Sequence, residues 1–246
     1  MSKSAYSEDF FSLHLRHSTE SAEQVIPLVL SFVNPQSVVD IGCGVGTWLN
    51  VWKKNGIKKV LGVDGDYVKK DQLLVDQSEF QAYDLSKRYN SPIKFDLVTS
   101  LEVGEHIDPS SAEVFVQTLC GLGDIILFSA AIPGQQGTHH VNEQYPDYWA
   151  RLFSKQGFVA ADCLRQMIWE NEKVSWWYRQ NILFFIKKEA LINYDKLQGK
   201  TTEHVVPMVH PELLAFTTSQ VNYLKKSLGN PVRTLVYYIK RLIGRN

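Results

Sequence analysis

The sequence has few cysteines and no long apolar run. Its three cysteines, Cys43, Cys120 and Cys163, are odd in number, and none stands in a C-x-x-C pair. This argues against a disulfide framework or a cysteine zinc site and favours a reducing compartment. No apolar run approaches the roughly 20 residues needed to span a bilayer, and the N-terminus lacks the apolar core of a signal peptide. We therefore expect a cytoplasmic protein.

A surplus of charge of either sign is also lacking. The 246 residues include 26 Lys or Arg and 26 Asp or Glu, so the formal net charge is zero. Without a global basic field to attract phosphates, the composition argues against nucleic acid as a partner, although a local basic patch is still allowed. The apolar fraction of 44% is ordinary for a globular protein, and the length suits one α/β domain with an appendage.

Apolar runs of strand length alternate with stretches of helical spacing. Four runs are predicted to be buried strands, at 37–42, 59–64, 95–100 and 124–129. Helical spacing occurs at 18–33, where Ser18 or Thr19 is the expected cap, and at 47–55, 112–122 and 146–156. This alternation predicts an α/β fold with a Rossmann-like, doubly wound, mainly parallel sheet. Segments 158–164 and 181–187 are expected to form a closing antiparallel strand pair, and a helical C-terminal tail follows.

A glycine-rich loop joins the first strand to the next helix. In segment 40–46, DIGCGVG, Gly42, Gly44 and Gly46 allow a tight turn and a close approach of the backbone to a ligand. Asp64 ends the next strand, at about the 20-residue spacing expected of a carboxylate that binds ribose hydroxyls. A tight turn with an unrelated aspartate is the alternative. A dinucleotide pattern, G-x-G-x-x-G, fits less well because the third glycine comes one residue early.

Segment 39–46 resembles motif I of the class I S-adenosylmethionine (SAM)-dependent methyltransferases. Asp64 matches the acid that binds the ribose in that family, and Asp84 resembles the acid near the adenine amino group. Segments 95–98 and 101–103 resemble motif IV and the floor of the SAM pocket. The resemblance covers about 37–187 and implies a Rossmann-like fold with SAM as cofactor. The residues that it implies for cofactor binding are Asp40, Gly42, Cys43, Gly44, Gly46, Asp64, Asp84, Leu85 and Leu101.

Two polar clusters follow strand ends on the side where the methyl acceptor would bind. The first contains Glu102, Glu105 and His106, spaced i, i+3 and i+4, so one helical turn would gather them. The second cluster contains His139, His140 and Glu143. Adjacent strand ends open into the same crevice of such a sheet, so we expect the two clusters to converge.

The E-x-x-E-H arrangement is similar to that of two metal-dependent O-methyltransferase groups, which act on ubiquinone precursors and on the 3′-terminal ribose of small RNAs. This resemblance implies a Mg²⁺ or Mn²⁺ site, for which carboxylates and imidazoles are suitable ligands. The implied ligands are Glu102, Glu105, His106 and His140, with His139 as an alternative to His140. Many class I methyltransferases carry such a Glu-His pair without a metal, and there the pair shapes the pocket or hydrogen-bonds the backbone. His140 or His139 is then the catalytic base, oriented by Glu143.

Segments 129–135 and 140–144 resemble methyltransferases that modify bacterial sugars and polysaccharides. We therefore expect O-methylation of a hydroxyl on a sugar, glycan or other small molecule. One alternative is 2′-O-methylation of a terminal RNA ribose, against which the zero net charge argues. The other is a non-catalytic SAM-binding docking protein, against which the intact glycine loop and both acids argue.

Three segments are expected along the chain. They are an N-terminal helical lid at 1–36, a SAM-binding methyltransferase domain at 37–189 and a helical C-terminal extension at 190–246. Segment 230–245 has the pattern of an amphipathic basic helix. It either docks at the inner membrane face or on a protein partner, or packs on its own domain or a second copy. The oligomeric state is left open.

Overall fold

The computed structural model describes residues 8–228, and the side chains of residues 15–226. Within this part of the chain, eight strands form one sheet in the order β3-β2-β1-β4-β5-β7-β6-β8. The strands are β1 (Ser37–Ile41), β2 (Lys59–Asp64), β3 (Phe80–Ala82), β4 (Leu97–Leu101), β5 (Ile125–Ser129), β6 (Phe158–Ala161), β7 (Leu183–Lys187) and β8 (Thr201–Thr202). Strands β1 to β5 are parallel, whereas β7 runs antiparallel to β5 and β6, and β8 antiparallel to β6.

Helices cover both faces of the sheet, because successive strand residues point to opposite faces and both faces are apolar. Val38 of β1 joins the core under one set of helices, and Val39 joins the core on the other face. Trp52 packs in the first core and Phe153 in the second. The helices of the first face are α1 (Glu8–Phe32), α2 (Thr47–Lys54), α5 (Leu164–Ile168) and α6 (Trp176–Asn181), and those of the second are α3 (Ala112–Leu122) and α4 (Pro146–Lys155).

The predicted fold class is confirmed, including the closing antiparallel pair, which is formed by β6 and β7. Strands β3 and β8 were not expected, since runs of three and two residues carry no detectable alternation. The first helix begins at Glu8 and not at Ser18 or Thr19, so the prediction of a cap at either residue is wrong. The hydroxyl of Thr19 instead donates to the carbonyl of Leu15 within the helix, 2.8 Å away.

The boundary between two compact units falls after Met208. Residues 190–208 of the first unit contain β8 and the short 3₁₀ turn Asp195–Leu197. The described part of the second unit consists mainly of the helix α7 (Pro211–Leu228). The proposed basic helix at 230–245 lies outside the described residues. Among residues 8–228, no helix combines the length and the hydropathy needed to cross a membrane.

The parallel strands bring the polar loops to one edge of the sheet. The carboxyl ends of β1, β2 and β4 lie side by side, and the carboxyl end of β5 lies next to β4. The glycine loop follows β1, Asp64 ends β2, and Glu102 follows β4 directly. Ligands of open α/β sheets bind at this edge, so the candidate site is sought there.

Candidate functional site

The glycine loop after β1 requires glycine at its turning points. Gly42, Gly44 and Gly46 have φ values of 83°, 53° and 83°, a region that side chains disfavour. A Cβ atom at Gly42 would also lie 2.3 Å from a methyl carbon of Val103, which follows β4. The loop therefore packs backbone against side chain, and α2 begins directly after Gly46.

Asp64 fastens this loop to the end of β2. Its Oδ2 accepts a hydrogen bond of 2.6 Å from the Gly44 amide, and its Oδ1 accepts one of 2.6 Å from the Gly65 amide. The hydroxyl of Tyr67 donates to the same Oδ1. Asp64 is only 3% exposed. A buried carboxylate is thus held at the mouth of the glycine loop, where a ribose would need a hydrogen-bond acceptor.

Asp40 lies beneath the loop in β1 and is 4% exposed. The hydroxyl of Thr99 donates to its Oδ1 over 2.7 Å. Burial, together with the charge of Asp64, raises the pKa of Asp40 from 3.8 to about 7, against the opposing effect of the Thr99 hydrogen bond. Asp40 therefore resists ionisation in the folded protein.

This burial predicts a pH-dependent stability. Because the folded pKa of Asp40 exceeds the unfolded one, its stabilising contribution is complete below about pH 4 and is lost as the pH rises through about 7. Asp40→Asn keeps an acceptor for Thr99 but cannot ionise. We expect this variant to exceed wild type in free energy of unfolding by roughly 2–4 kcal/mol at pH 8, but not at pH 4. Denaturant unfolding of both proteins checks this, and a constant difference between the two pH values would contradict it.

The other residues implied for cofactor binding lie along the same edge. Cys43 is buried, and a Cβ atom at Gly62 would lie 2.6 Å from its sulfur. Leu101 is buried at the end of β4, and Leu85 packs at the border of the second core. Asp84 is exposed in the turn after β3, where its Oδ1 accepts from the amide of Ser86 over 3.1 Å.

Two imidazoles and a buried carboxylate meet beside β4. One potential ligand atom from each of Glu105, His106 and His140 lies within 4.8 Å of the other two. The ring centroids of the histidines are 4.9 Å apart, at an interplanar angle of 86°. His140 Nε2 lies 4.0 Å from Glu105 Oε1. The structure therefore brings together residues from the two predicted polar clusters, which are more than 30 positions apart.

Each histidine of this cluster is oriented through its Nδ1 atom. His106 Nδ1 lies 3.2 Å from the carbonyl oxygen of His139, and His140 Nδ1 lies 2.9 Å from Glu143 Oε1. Both contacts fix the ring and direct the Nε2 atoms away from these partners. An outer acceptor on the second ring nitrogen is the usual support of a metal-binding histidine, and it equally supports a histidine base.

The electrostatics of the cluster favour a cation. Glu105 is 1% exposed, and its Oε2 has no hydrogen-bond partner among the described residues. Burial raises the pKa of Glu105 well above its ordinary value, and the charges of Glu102 and Glu143 raise it further. Burial also lowers the pKa of His106, and the neighbouring His140 adds to that effect. A bound cation would relieve the repulsion among the carboxylates and supply a partner for the unsatisfied oxygen.

Glu102 is not among these three potential ligands, although its charge acts on Glu105. It has a φ of 57° and precedes the 3₁₀ turn Gly104–His106, so the expected single helical turn does not hold all three residues. Its Oε2 accepts from Gln135 over 2.7 Å, and its Oε1 accepts from Asn181 over 3.2 Å. Whether Glu102 is also a ligand stays a prediction.

The amides around Glu102 were missed by sequence reasoning. Gln135 and Asn181 are 6% and 2% exposed, and Asn181 donates to Gln135 over 2.9 Å. Gln180, which is also buried, donates to Gln135 over 3.2 Å. Gln135 comes from the loop after β5, whereas Gln180 and Asn181 end helix α6 about 45 positions later, so they share no recognisable spacing. No signal in the sequence connects them.

The two candidate bases differ in position. His139 is exposed, has a φ of 61° and contributes its carbonyl oxygen to the site through His106. The imidazole of His140 is 12% exposed and lies between Glu105 and Glu143. Of the two histidines, His140 is therefore the one whose ring is placed for proton transfer or metal binding.

Gly137 lies against the imidazole of His140. A Cβ atom there would be 2.1 Å from His140 Nε2, so Gly137→Ala must displace the ring. We expect this variant to lose at least tenfold in methyl-transfer rate while its affinity for the cofactor is unchanged. Gly121→Ala is the control, since nothing lies within 4 Å of the added atom. Equal rates for wild type and Gly137→Ala would show that the position of His140 is not needed for the reaction.

Residues 14–123 match the model of a family described as a methyltransferase domain. This match confirms the resemblance to class I methyltransferases. Among curated proteins, none is significantly similar in sequence to the chain.

Solved structures with the same fold include several methyltransferases. An O-methyltransferase family protein from Burkholderia thailandensis has 15% identity and a TM-score of 0.55, over 73% of this chain and 58% of its own. SAM-bound CalS10, an amino pentose methyltransferase from Micromonospora echinaspora, has 11% identity and a TM-score of 0.55, over 76% of this chain and 100% of its own. SAM-bound magnesium protoporphyrin IX methyltransferase from Synechocystis has 17% identity and a TM-score of 0.50, over 76% and 87%. These likenesses show the fold.

Proposed function

We propose that this chain, whose residues 14–123 match a methyltransferase domain, is a SAM-dependent enzyme that methylates a hydroxyl of a sugar, glycan or other small molecule. The cluster of Glu105, His106 and His140 at the carboxyl edge of the sheet carries the proposal. A SAM methyl group is already electrophilic, so the acceptor oxygen needs alignment and removal of its proton. The amino pentose named for CalS10 is a precedent for a sugar acceptor on this fold.

The cofactor is assigned to the loop after β1 and the end of β2. The Asp64 carboxylate is the acceptor for the ribose hydroxyls, and the three glycines let the backbone approach the methionine part of SAM. Leu101 lines the floor of the pocket. Asp84, which is exposed in the turn after β3, is assigned to bind the adenine amino group. These roles follow the family resemblance and the common edge on which the residues lie.

The acid–histidine cluster suits a Mg²⁺ or Mn²⁺ ion. Glu105, His106 and His140 would hold it, because Glu105 Oε2 is buried without a partner and both Nδ1 atoms already have outer acceptors. When bound, such an ion lowers the pKa of a hydroxyl that it contacts. Neighbouring hydroxyls of a sugar are suitable bidentate groups for it. The predicted fourth ligand, Glu102, is held by amides and is not needed for this assignment.

The protein's own residues orient the acceptor and manage its proton. Glu143 fixes the His140 ring through Nδ1, and Nε2 lies next to Gly137 and toward Glu105. The buried Glu105 carboxyl lies beside it, with Oε1 4.0 Å from His140 Nε2. Glu105 is buried and His140 partly buried, whereas His106 is exposed, so the cluster is open to an acceptor on the His106 side. If no metal is needed, His140 Nε2 accepts the acceptor proton directly, with Glu143 in the role of its orienting partner.

The experiment that tests this function is a screen for SAM turnover. Nucleotide sugars, oligosaccharides, catechols and an RNA with a free 3′-terminal ribose are each incubated with SAM, with and without Mg²⁺ or Mn²⁺. We expect S-adenosylhomocysteine (SAH) to accumulate with a hydroxyl acceptor of the sugar or small-molecule class. Turnover with the RNA alone would replace the proposed acceptor class. Binding of SAM without turnover on any acceptor would favour the docking protein.

A further inference from the structure

The hydroxyl of Tyr67 donates to Asp64, the carboxylate that the ribose of the cofactor would need as its hydrogen-bond acceptor. Tyr67 lies three residues after Asp64, in the turn that follows β2, and its hydroxyl donates to Asp64 Oδ1. The amides of Gly44 and Gly65 engage the same carboxylate. Each carboxylate oxygen of Asp64 therefore has a donor, and the Tyr67 hydroxyl is the donor that a side-chain rotation can withdraw.

The ring of Tyr67 has little else to hold it. It lies over Gly65, where a Cβ atom would be 2.2 Å from a ring carbon, so the absence of a side chain at Gly65 makes room for it. Tyr67 is 76% exposed, whereas Tyr178 in the core is 4% exposed. Swinging Tyr67 outward breaks no core packing, so its position depends mainly on the bond to Asp64.

The hydrogen bond from Tyr67 stabilises the buried Asp64 carboxylate when no ligand is bound. A carboxylate that is 3% exposed is costly to leave short of donors. Partial burial and the charge of Asp64 raise the pKa of Tyr67, so its hydroxyl keeps its proton and stays a donor. An entering ligand must supply hydroxyl donors of its own in order to displace it.

We propose that Tyr67 is a gate on the cofactor site: its hydroxyl satisfies Asp64 when the site is empty and is exchanged for the ribose hydroxyls when SAM binds. The inference rests on the proposed function, since it takes the Asp64 edge as the SAM site. Exchange of one hydroxyl for others keeps the buried carboxylate satisfied throughout. Its consequence is that the native tyrosine weakens cofactor affinity, because its bond must break first.

Titration with SAH in a calorimeter tests the gate. Tyr67→Phe removes only the competing hydroxyl, so this variant should bind SAH roughly three- to tenfold more tightly than wild type. Tyr194→Phe is the matched control. The hydroxyl of Tyr194 is near Asp96 and Asp124, which precede β4 and β5 at the opposite edge of the sheet. The Tyr194→Phe variant should therefore bind SAH with the affinity of wild type.

The outcomes separate the gate from the proposed function. Weaker binding by Tyr67→Phe would mean that the hydroxyl contacts the bound ligand, and equal binding would mean that its bond to Asp64 does not compete. Either result overturns the gate while wild-type binding of SAH keeps the proposed function intact. If neither wild type nor the variant binds SAH, the assignment of the SAM site is overturned and the gate with it.

Discussion

Asp64→Ala is expected to weaken SAH binding ten- to a hundredfold. The change removes a charged acceptor, and hydrogen bonds to charged groups contribute about 1.5–3 kcal/mol. It also frees the Gly44 amide, which the carboxylate holds at 2.6 Å, so the glycine loop loses its tie to β2. Isothermal titration of SAH into wild type and variant measures the difference.

Asp66→Ala provides the matched control for this change. Asp66 lies two residues further along the same turn, carries the same charge and is exposed. The Asp66→Ala variant should bind SAH with the affinity of wild type. This result would show that the loss in Asp64→Ala comes from the position of the carboxylate and not from the loss of one negative charge in the turn. An Asp64→Ala protein that is folded by circular dichroism and binds SAH normally would remove Asp64 from the cofactor site.

Loss of the acid–histidine cluster is expected to stop turnover and leave cofactor binding intact. A chelator or Glu105→Gln should lower the rate of methyl transfer by about a hundredfold or more, since weakening even the outer partners of metal ligands typically costs 10- to 100-fold. SAH affinity should not change, because no cofactor contact is assigned to Glu105. Glu113→Gln, at an exposed site in α3, should have the wild-type rate.

The pH dependence of the rate follows from the same carboxylate. Glu105 must lose its proton to hold a cation, and burial raises its pKa well above the ordinary range. Protons and the cation therefore compete for Glu105, so activity should fall as the pH drops, and this fall should move to lower pH when the Mg²⁺ or Mn²⁺ concentration is raised. Full activity in excess EDTA with metal-free protein, combined with an inactive His140→Ala, would leave His140 as a simple base.

The cofactor side of the site was predictable because its signals are local. Gly42, Gly44 and Gly46 stand within five positions, and the turn they form needs their positive φ values. Asp64 follows at the end of the next apolar run, and the parallel pairing of β1 and β2 brings it to the loop. Chain order and strand direction are therefore enough to predict that the glycine loop and Asp64 lie together.

The acceptor side was only partly predictable. Because two neighbouring strand ends were expected to converge, His140 was predicted to lie near Glu105 and His106, and the structure has this arrangement. Spacing alone did not reveal that Glu102 would leave the turn with a φ of 57°. The Glu102 side chain is held by hydrogen bonds from Gln135 and Asn181. These residues are distant in the sequence, so no local pattern predicts the contacts.

The sheet was predictable where its strands are long and apolar on both faces. Strands β1, β2, β4 and β5 are five or six residues each, which is enough to carry a signal. Strand β3, with three residues, depends on pairing with β2 for its existence. Helix α1 extends ten residues before Ser18, so this candidate cap is a buried residue inside the helix.

The central claim is methyl transfer from SAM to oxygen at the cluster beside β4. The most direct test incubates the protein with SAM labelled with ¹³C at its methyl group and with the acceptor that gives turnover, and then records the carbon spectrum of the purified product. The account predicts one new resonance in the range of methyl ethers, absent from the Glu105→Gln reaction and present with Glu113→Gln. A label found on nitrogen, sulfur or carbon, or an ether formed equally well by Glu105→Gln, would contradict it.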